Sequence, residues 1–151
     1  MSELKKIFIG ADHAGFALKR ILLERLGREY PDFQVTDLGC DSDESVDYPD
    51  YAKKVADQVA KNMAQGILVC GSGIGMAIVA NKVKGIRSTT VWDVTSARMC
   101  REHNDVNVLC LGARLTGVEV AWDAVKVFLN QQFLKGRHTK RIDLIRRMEG
   151  E

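Results

Sequence analysis

Apolar runs alternate along the chain with amphipathic stretches, and the two kinds of segment differ in period. Five short segments predict strands: Ile7–Ile9 ending at Gly10, Phe33–Thr36, Ile67–Cys70, Ile86–Val91 and Val108–Leu111. Between them the period is helical. Over Gly15–Glu29, Leu18, Ile21, Leu22 and Leu26 share one face, and Lys19, Arg20, Glu24, Arg25 and Arg28 share the other. The acidic stretch Asp37–Asp47 reads as a loop. A helix then opens at "DYPD", with Pro49 in its first turn, Tyr51, Val55, Val59 and Met63 recurring at i+4, and Gly66 just beyond its end. Gly73–Val83 is short and apolar, so it predicts a buried helix. Val94–His103, Thr116–Leu134 (with Thr116 as N-cap) and a basic Thr139–Met148 complete the set.

Strands that alternate with helices predict a parallel sheet covered on both faces, hence an α/β fold in three layers. No repeat, linker or low-complexity tract divides the 151 residues, so residues 1–151 read as one domain. In open sheets of this kind ligands sit beyond the carboxyl ends of the strands. The stretches expected there are Asp12–His13, Cys70–Gly75, Trp92–Asp93 and Gly112–Arg114.

Composition narrows the function classes. A net charge of +2 does not by itself imply nucleic acid. The basic stretch Lys135–Arg147 carries Lys135, Arg137, Lys140, Arg141, Arg146 and Arg147 against Asp143, but no second basic surface extends it. No apolar run approaches the ~18 residues of a membrane span, and "MSELKKIFIG" is too short a run for a signal peptide. The cysteines Cys40, Cys70, Cys100 and Cys110 form no C-x-x-C pair and no zinc spacing. The expectation is a cytoplasmic chain with reduced thiols and no metal or cofactor. Trp92 and Trp122 read as packing residues, and Asp93 has no assigned role.

The densest candidate chemistry is "LVCGSGIGMAIVANK", Leu68–Lys82. It is not a dinucleotide fingerprint, because Met76 stands where Gly or Ala is needed and the turn follows the third strand, not the first. The Walker pattern is absent. Glycines still let backbone N–H groups approach a ligand, and a helix begins there. Such donors lower the pKa of a thiol and stabilise an oxyanion. Cys70 is therefore either a buried strand residue or a thiolate base beside an oxyanion site. Cys40, Cys100 and Cys110, in a loop, a helix and a strand, read as structural. Arg137 and Arg141 share a face if the last helix begins early enough, and two guanidiniums suit a phosphate dianion.

Five stretches, "GADHAGFALK", "DYPDYAKKVA", "VCGSGIGMAIVANKVKGIR", "REHNDVNVLCLGAR" and "GRHTKRI", together resemble the ribose-5-phosphate isomerase B (RpiB/LacAB) family of sugar-phosphate isomerases. The resemblance runs in order over nearly the whole chain. It implies a Rossmann-like α/β/α fold and metal-free interconversion of ribose 5-phosphate and ribulose 5-phosphate through an enediolate, a pentose phosphate pathway reaction. It implies Cys70 as the base and Gly71, Ser72, Gly73, Ile74 and Gly75 as the loop holding the sugar and enediolate oxygens. Ser72 stands where many members carry threonine, which keeps the hydroxyl. Asp12 and His13 match the first-strand site pair, His103 the ring-opening residue, Asn104 a substrate contact, and Arg114, Arg137 and Arg141 the phosphate ligands. Some members carry a glutamate base at the position of Met76, so this chain looks like a cysteine-type member. The resemblance also implies a homodimer, or a tetramer, with shared sites. His103, Asn104 and Arg114 of one chain are expected to face Cys70, Asp12 and His13 of the other. Relatives acting on six-carbon galactose or allose phosphates, and a nucleotide-binding module, are the alternatives.

Overall fold

The computed structural model describes residues 3–150. Strands and helices follow as β1 (Lys6–Ala11), α1 (Phe16–Glu29), β2 (Gln34–Asp37), α2 (Tyr48–Asn62), β3 (Gln65–Cys70), α3 (Ile74–Ala80), β4 (Ser88–Thr90), α4 (Val94–Asn104), β5 (Val108–Gly112), α5 (Val118–Asn130) and α6 (Arg137–Met148). All strand pairs are parallel, in the order β2-β1-β3-β5-β4.

Side chains alternate across a strand, and the core splits accordingly. Ile7, Ile9, Ile67, Val69, Leu109 and Leu111 pack with Leu18 and Leu22 of α1, Cys100 of α4, and Val125 and Phe128 of α5. Phe8, Leu68, Cys70, Val108 and Cys110 pack on the other face with Val55 and Val59 of α2 and with Met76 and Ala80 of α3. Both faces are covered, which is why the central strands β1, β3 and β5 read as nearly continuous apolar runs. α6 lies outside this sandwich, against α4. The strand order reverses between β1 and β3, so the crevice for a ligand opens at Asp12 and Cys70.

Several boundaries differ from the sequence expectation, each for a local reason. α2 stops at Asn62 because Met63 adopts the left-handed conformation (φ 49°), while Gly66 lies inside β3 against Val55 and Val59. β4 keeps only three residues. Asn81 grips Ser88 from both sides, with Nδ2 donating to the Ser88 carbonyl (3.0 Å) and Oδ1 accepting its N–H (2.8 Å). Thr116 is not the cap of α5. It is turned inward, its Oγ1 is buried without a hydrogen-bond partner, and Gly117 takes the N-cap position. α5 ends at Asn130 because Gln131 is extended, and Leu134 is tied instead to α4 through its N–H on the Glu102 carbonyl (3.1 Å). α6 begins at Arg137, two residues earlier than expected, so Arg137 and Arg141 do share one helix face.

Lys19 is the largest departure from the amphipathic reading of α1, because it is fully buried. Its ammonium donates to Asp37 Oδ1 (2.7 Å) and to the Cys40 carbonyl (2.6 Å). A buried cation is tolerated only with such partners. The pair fastens the loop after β2 to α1, and the loop's Gly39 and Cys40 also bond the end of β1 at Ala11. Trp122 is core as expected, but Trp92 is half exposed.

Candidate active site

Three strand ends are laced together where the crevice opens. After β3, Cys70 accepts the Ala113 N–H on its carbonyl (2.8 Å) and Gly71 accepts that of Arg114 (3.0 Å). Beside them, the Thr90 hydroxyl at the end of β4 donates to the Gly73 carbonyl (2.9 Å). Gly73 has φ 81°, and a Cβ there would meet Thr90 and the Leu111 backbone below 3 Å. Only glycine fits, and the conformation it allows turns the Gly73 N–H toward Cys70 Sγ at 3.1 Å. Ser72 Oγ accepts the Ile74 N–H (3.2 Å) at the start of α3.

A cleft of about 560 Å³ lies over this loop, lined by Asp12, Tyr48, Cys70, Gly71, Ser72, Ile74, Gly75, Ile78, Arg114 and Leu115. Cys70 is 5% exposed, at the floor. Asp12 receives the Gly15 N–H on Oδ1 (3.0 Å), which fixes the turn into α1. Its Oδ2 accepts no hydrogen bond among the described residues. His13 accepts the Val46 N–H on Nδ1 (3.2 Å). The neutral ring therefore carries its proton on Nε2, as a donor. Arg114 lies against Gly71, its Nη1 3.1 Å from where a Cβ would be. Its guanidinium has no partner among the described residues, as an anion ligand requires. The other thiols are unsuited to the role of base. Burial pushes Cys100 up to about 12, and burial with neighbouring thiols pushes Cys110 up too. Cys40 is buried in the loop after β2.

The sequence-predicted residues fall into two groups. Asp12, Cys70, Gly71, Ser72, Ile74, Gly75 and Arg114 share the cleft, Gly73 supports the thiol, and His13 adjoins Asp12. His103, Asn104, Arg137 and Arg141 are elsewhere. His103 is the penultimate residue of α4, shortly before β5 begins at Val108, whereas Cys70 is level with Gly112 at the end of β5. The rise of β5 alone separates these levels by about 13 Å. His103 stacks on His138 at the start of α6, with ring centroids 4.5 Å apart and planes 13° apart. Arg137 and Arg141 are exposed on the same helix, without partners among the described residues. Burial, then the charges of His103, Arg137 and Arg141, hold His138 below the usual histidine value. One expectation is corrected. Arg114, expected on the side facing another chain's thiol, lines the cleft beside its own chain's Cys70, where its backbone bond to Gly71 holds it.

Two residues went unpredicted. Tyr48 closes one wall of the cleft, and its ring would be 2.6 Å from a Cβ at Gly75. The signal was faint: an aromatic at the first position of a helix, outside its apolar stripe. His138 was hidden inside the basic run. Among the described residues no group of three or more His, Cys, Asp or Glu gathers to hold a metal ion. No helix among them is long and apolar enough to cross a membrane.

Comparison with known proteins agrees with this architecture. Ribose-5-phosphate isomerase B of Escherichia coli (strain K12) is 42% identical over 147 residues, covering 97% of each chain. The solved ribose-5-phosphate isomerase B of Clostridium thermocellum superposes with a TM-score of 0.93 at 44% identity, over 96% of this chain and 97% of that one. That of Mycoplasma genitalium, with bound ribulose 5-phosphate, gives 0.93 at 42% identity over 99% of both chains. The family described as Ribose/Galactose Isomerase matches residues 7–145, β1 through α6 and with them both groups of site residues, so the chain belongs to that family.

Proposed function

We propose that the chain interconverts ribose 5-phosphate and ribulose 5-phosphate, with Cys70 as the base. The observation that carries this reading is the Gly73 N–H on the Cys70 sulfur, in a cleft that also holds Asp12 and Arg114. A backbone donor favours the thiolate. Asp12 and His103 open the furanose, the carboxylate taking a hydroxyl proton and the imidazole giving one to the ring oxygen. Cys70 takes the C2 proton of the open aldose. Electrons move into the C1 carbonyl to give the enediolate, whose oxygens are held by the N–H groups and Ser72 hydroxyl of the Gly71–Gly75 loop. The proton then returns from the thiol to C1 while the C2 hydroxyl proton passes to the C1 oxygen, which leaves the C2 carbonyl and C1 hydroxyl of the ketose. Arg114, Arg137, Arg141 and His13 bind the phosphate, whose binding energy orients the open chain.

His103, Asn104, Arg137 and Arg141 reach such a substrate only from a second copy of the chain. Their distance from Cys70 within one chain supports a dimer with two shared sites, as C2 symmetry requires. Exposed apolar residues flank both halves: Ile74 and Ile78 beside the thiol, and Met99, Ile145 and Met148 in a groove beside Asn104.

The test is a panel of five- and six-carbon aldose phosphates with purified protein. Ribose 5-phosphate should give the highest kcat/KM. A galactose or allose 6-phosphate turned over faster would replace the substrate, and turnover of none, with tight NAD or ATP binding, would replace the activity.

A further inference from the structure

The mechanism leaves unused the buried imidazole behind His103. His138 is 8% exposed and does not line the cleft over Cys70, yet it lies face to face with His103 and nearly parallel to it. Both supports of the stack are fixed. The segment before α6 is held to α4 by the Leu134 N–H on the Glu102 carbonyl, one residue from His103. The turn into α6 runs through Lys135 and Gly136, both at positive φ, and closes with the His138 N–H on the Lys135 carbonyl (3.1 Å). Phe133 also approaches His138, with ring centroids 6.5 Å apart and planes tilted by 54°.

A histidine near a helix end with no packed neighbour has two side-chain torsions and many orientations. Ring opening needs one of them, with a nitrogen aimed at the ring oxygen. We propose that His138 is a positioning residue for His103: its flat, buried ring sets the plane of the His103 imidazole, and so aims the nitrogen that serves ring opening in the neighbouring copy. The inference rests on the reading of His103 as the ring-opening group. It assigns no proton to His138, only a surface. A second flat ring should therefore replace it, and a side chain of similar bulk without a flat face should not.

The experiment compares His138→Phe with His138→Leu in the full-length protein. Each variant is tested for kcat on ribose 5-phosphate and for the Kd of ribitol 5-phosphate, an acyclic polyol phosphate that needs no ring opening. His138→Leu should lose about ten- to a hundredfold in kcat, the scale of a misaimed catalytic group, while its Kd stays within about twofold of the parent, an RT-scale change. His138→Phe should recover most of the lost kcat. Equal kcat in the two variants, whether high or low, overturns the proposal, because flatness then decides nothing. A Kd that weakens in His138→Leu in step with kcat also overturns it, since the role then lies in binding. His103→Ala is the control for the premise. If it retains parental kcat, the ring-opening assignment itself is wrong. If it is slow while His138→Leu is not, only the positioning role fails.

Discussion

The Gly73 N–H meets Cys70 Sγ at 3.1 Å, and this contact distinguishes Cys70 from every other thiol in the chain. Cys40 and Cys100 instead face carbonyl oxygens, of Ser42 (3.2 Å) and Ala97 (3.1 Å) respectively, partners that favour the protonated thiol. Cys110 is buried outright. Cys70→Ala should lower kcat by about 10²–10⁴, the range for a positioned general base, with an unchanged circular dichroism spectrum. Cys40→Ala should stay close to the parent. Substoichiometric iodoacetamide followed by peptide mass mapping should find Cys70 first. Label on Cys100 before Cys70 would contradict the assignment.

Two glycines near the site make opposite predictions. A Cβ at Gly15 would lie 2.3 Å from the Val69 carbonyl oxygen, which is backbone in the middle of the sheet and cannot retreat. Gly15→Ala should cost at least about 1–3 kcal/mol and show it in denaturant melts. The atoms nearest a Cβ at Gly75 all belong to the Tyr48 ring, which is exposed to solvent and so able to give way. Gly75→Ala should keep the melting midpoint and raise KM, because it moves a wall of the cleft. Equal destabilisation by the two substitutions would mean that Tyr48 is fixed.

The environment of His138 gives the fold a pH dependence. His103 faces it from α4, Arg137 and Arg141 from its own helix, and the apolar Phe133 from the preceding segment. Burial and these cations lower its folded pKa below the unfolded value of about 6.5. Below that pH the unfolded chain binds a proton that the folded chain refuses, so stability falls as pH drops and is flat above. Denaturant midpoints at pH 7.5 and 5.5 should fall further apart in the parent than in His138→Phe, which has no proton to take up. Parallel shifts in the two proteins would rule out this origin.

The alternation of apolar runs was enough to read the parallel three-layer fold, because the central strands β1, β3 and β5 are buried on both faces and almost wholly apolar, whereas the edge strands β2 (Gln34–Asp37) and β4 (Ser88–Thr90) are short and polar. The thiol at a glycine turn was legible for the same reason: strand ends and glycines mark where backbone must come close. Lys19 was not legible. Its place on the polar face of α1 gives no hint of Asp37 and the Cys40 carbonyl, which come from the end of β2 and the loop after it, some twenty residues away. Thr116 misled because a hydroxyl before a helix suggests a cap, whereas tertiary packing turned it inward. The division of the site residues into two groups was also invisible to residue types. It follows from α4 running back along the sheet, so that His103 finishes at the edge opposite Cys70.

That division makes the shared site the central claim, and complementation tests it most directly. Cys70→Ala and His103→Ala should each be nearly inactive. When the two are unfolded together and refolded, random pairing makes about half the dimers mixed. Each mixed dimer holds one site with thiol and imidazole both intact, so about a quarter of the parental activity should return. If native mass spectrometry shows the mixed dimers and the mixture remains as inactive as its parents, the two groups do not meet across an interface and the account fails.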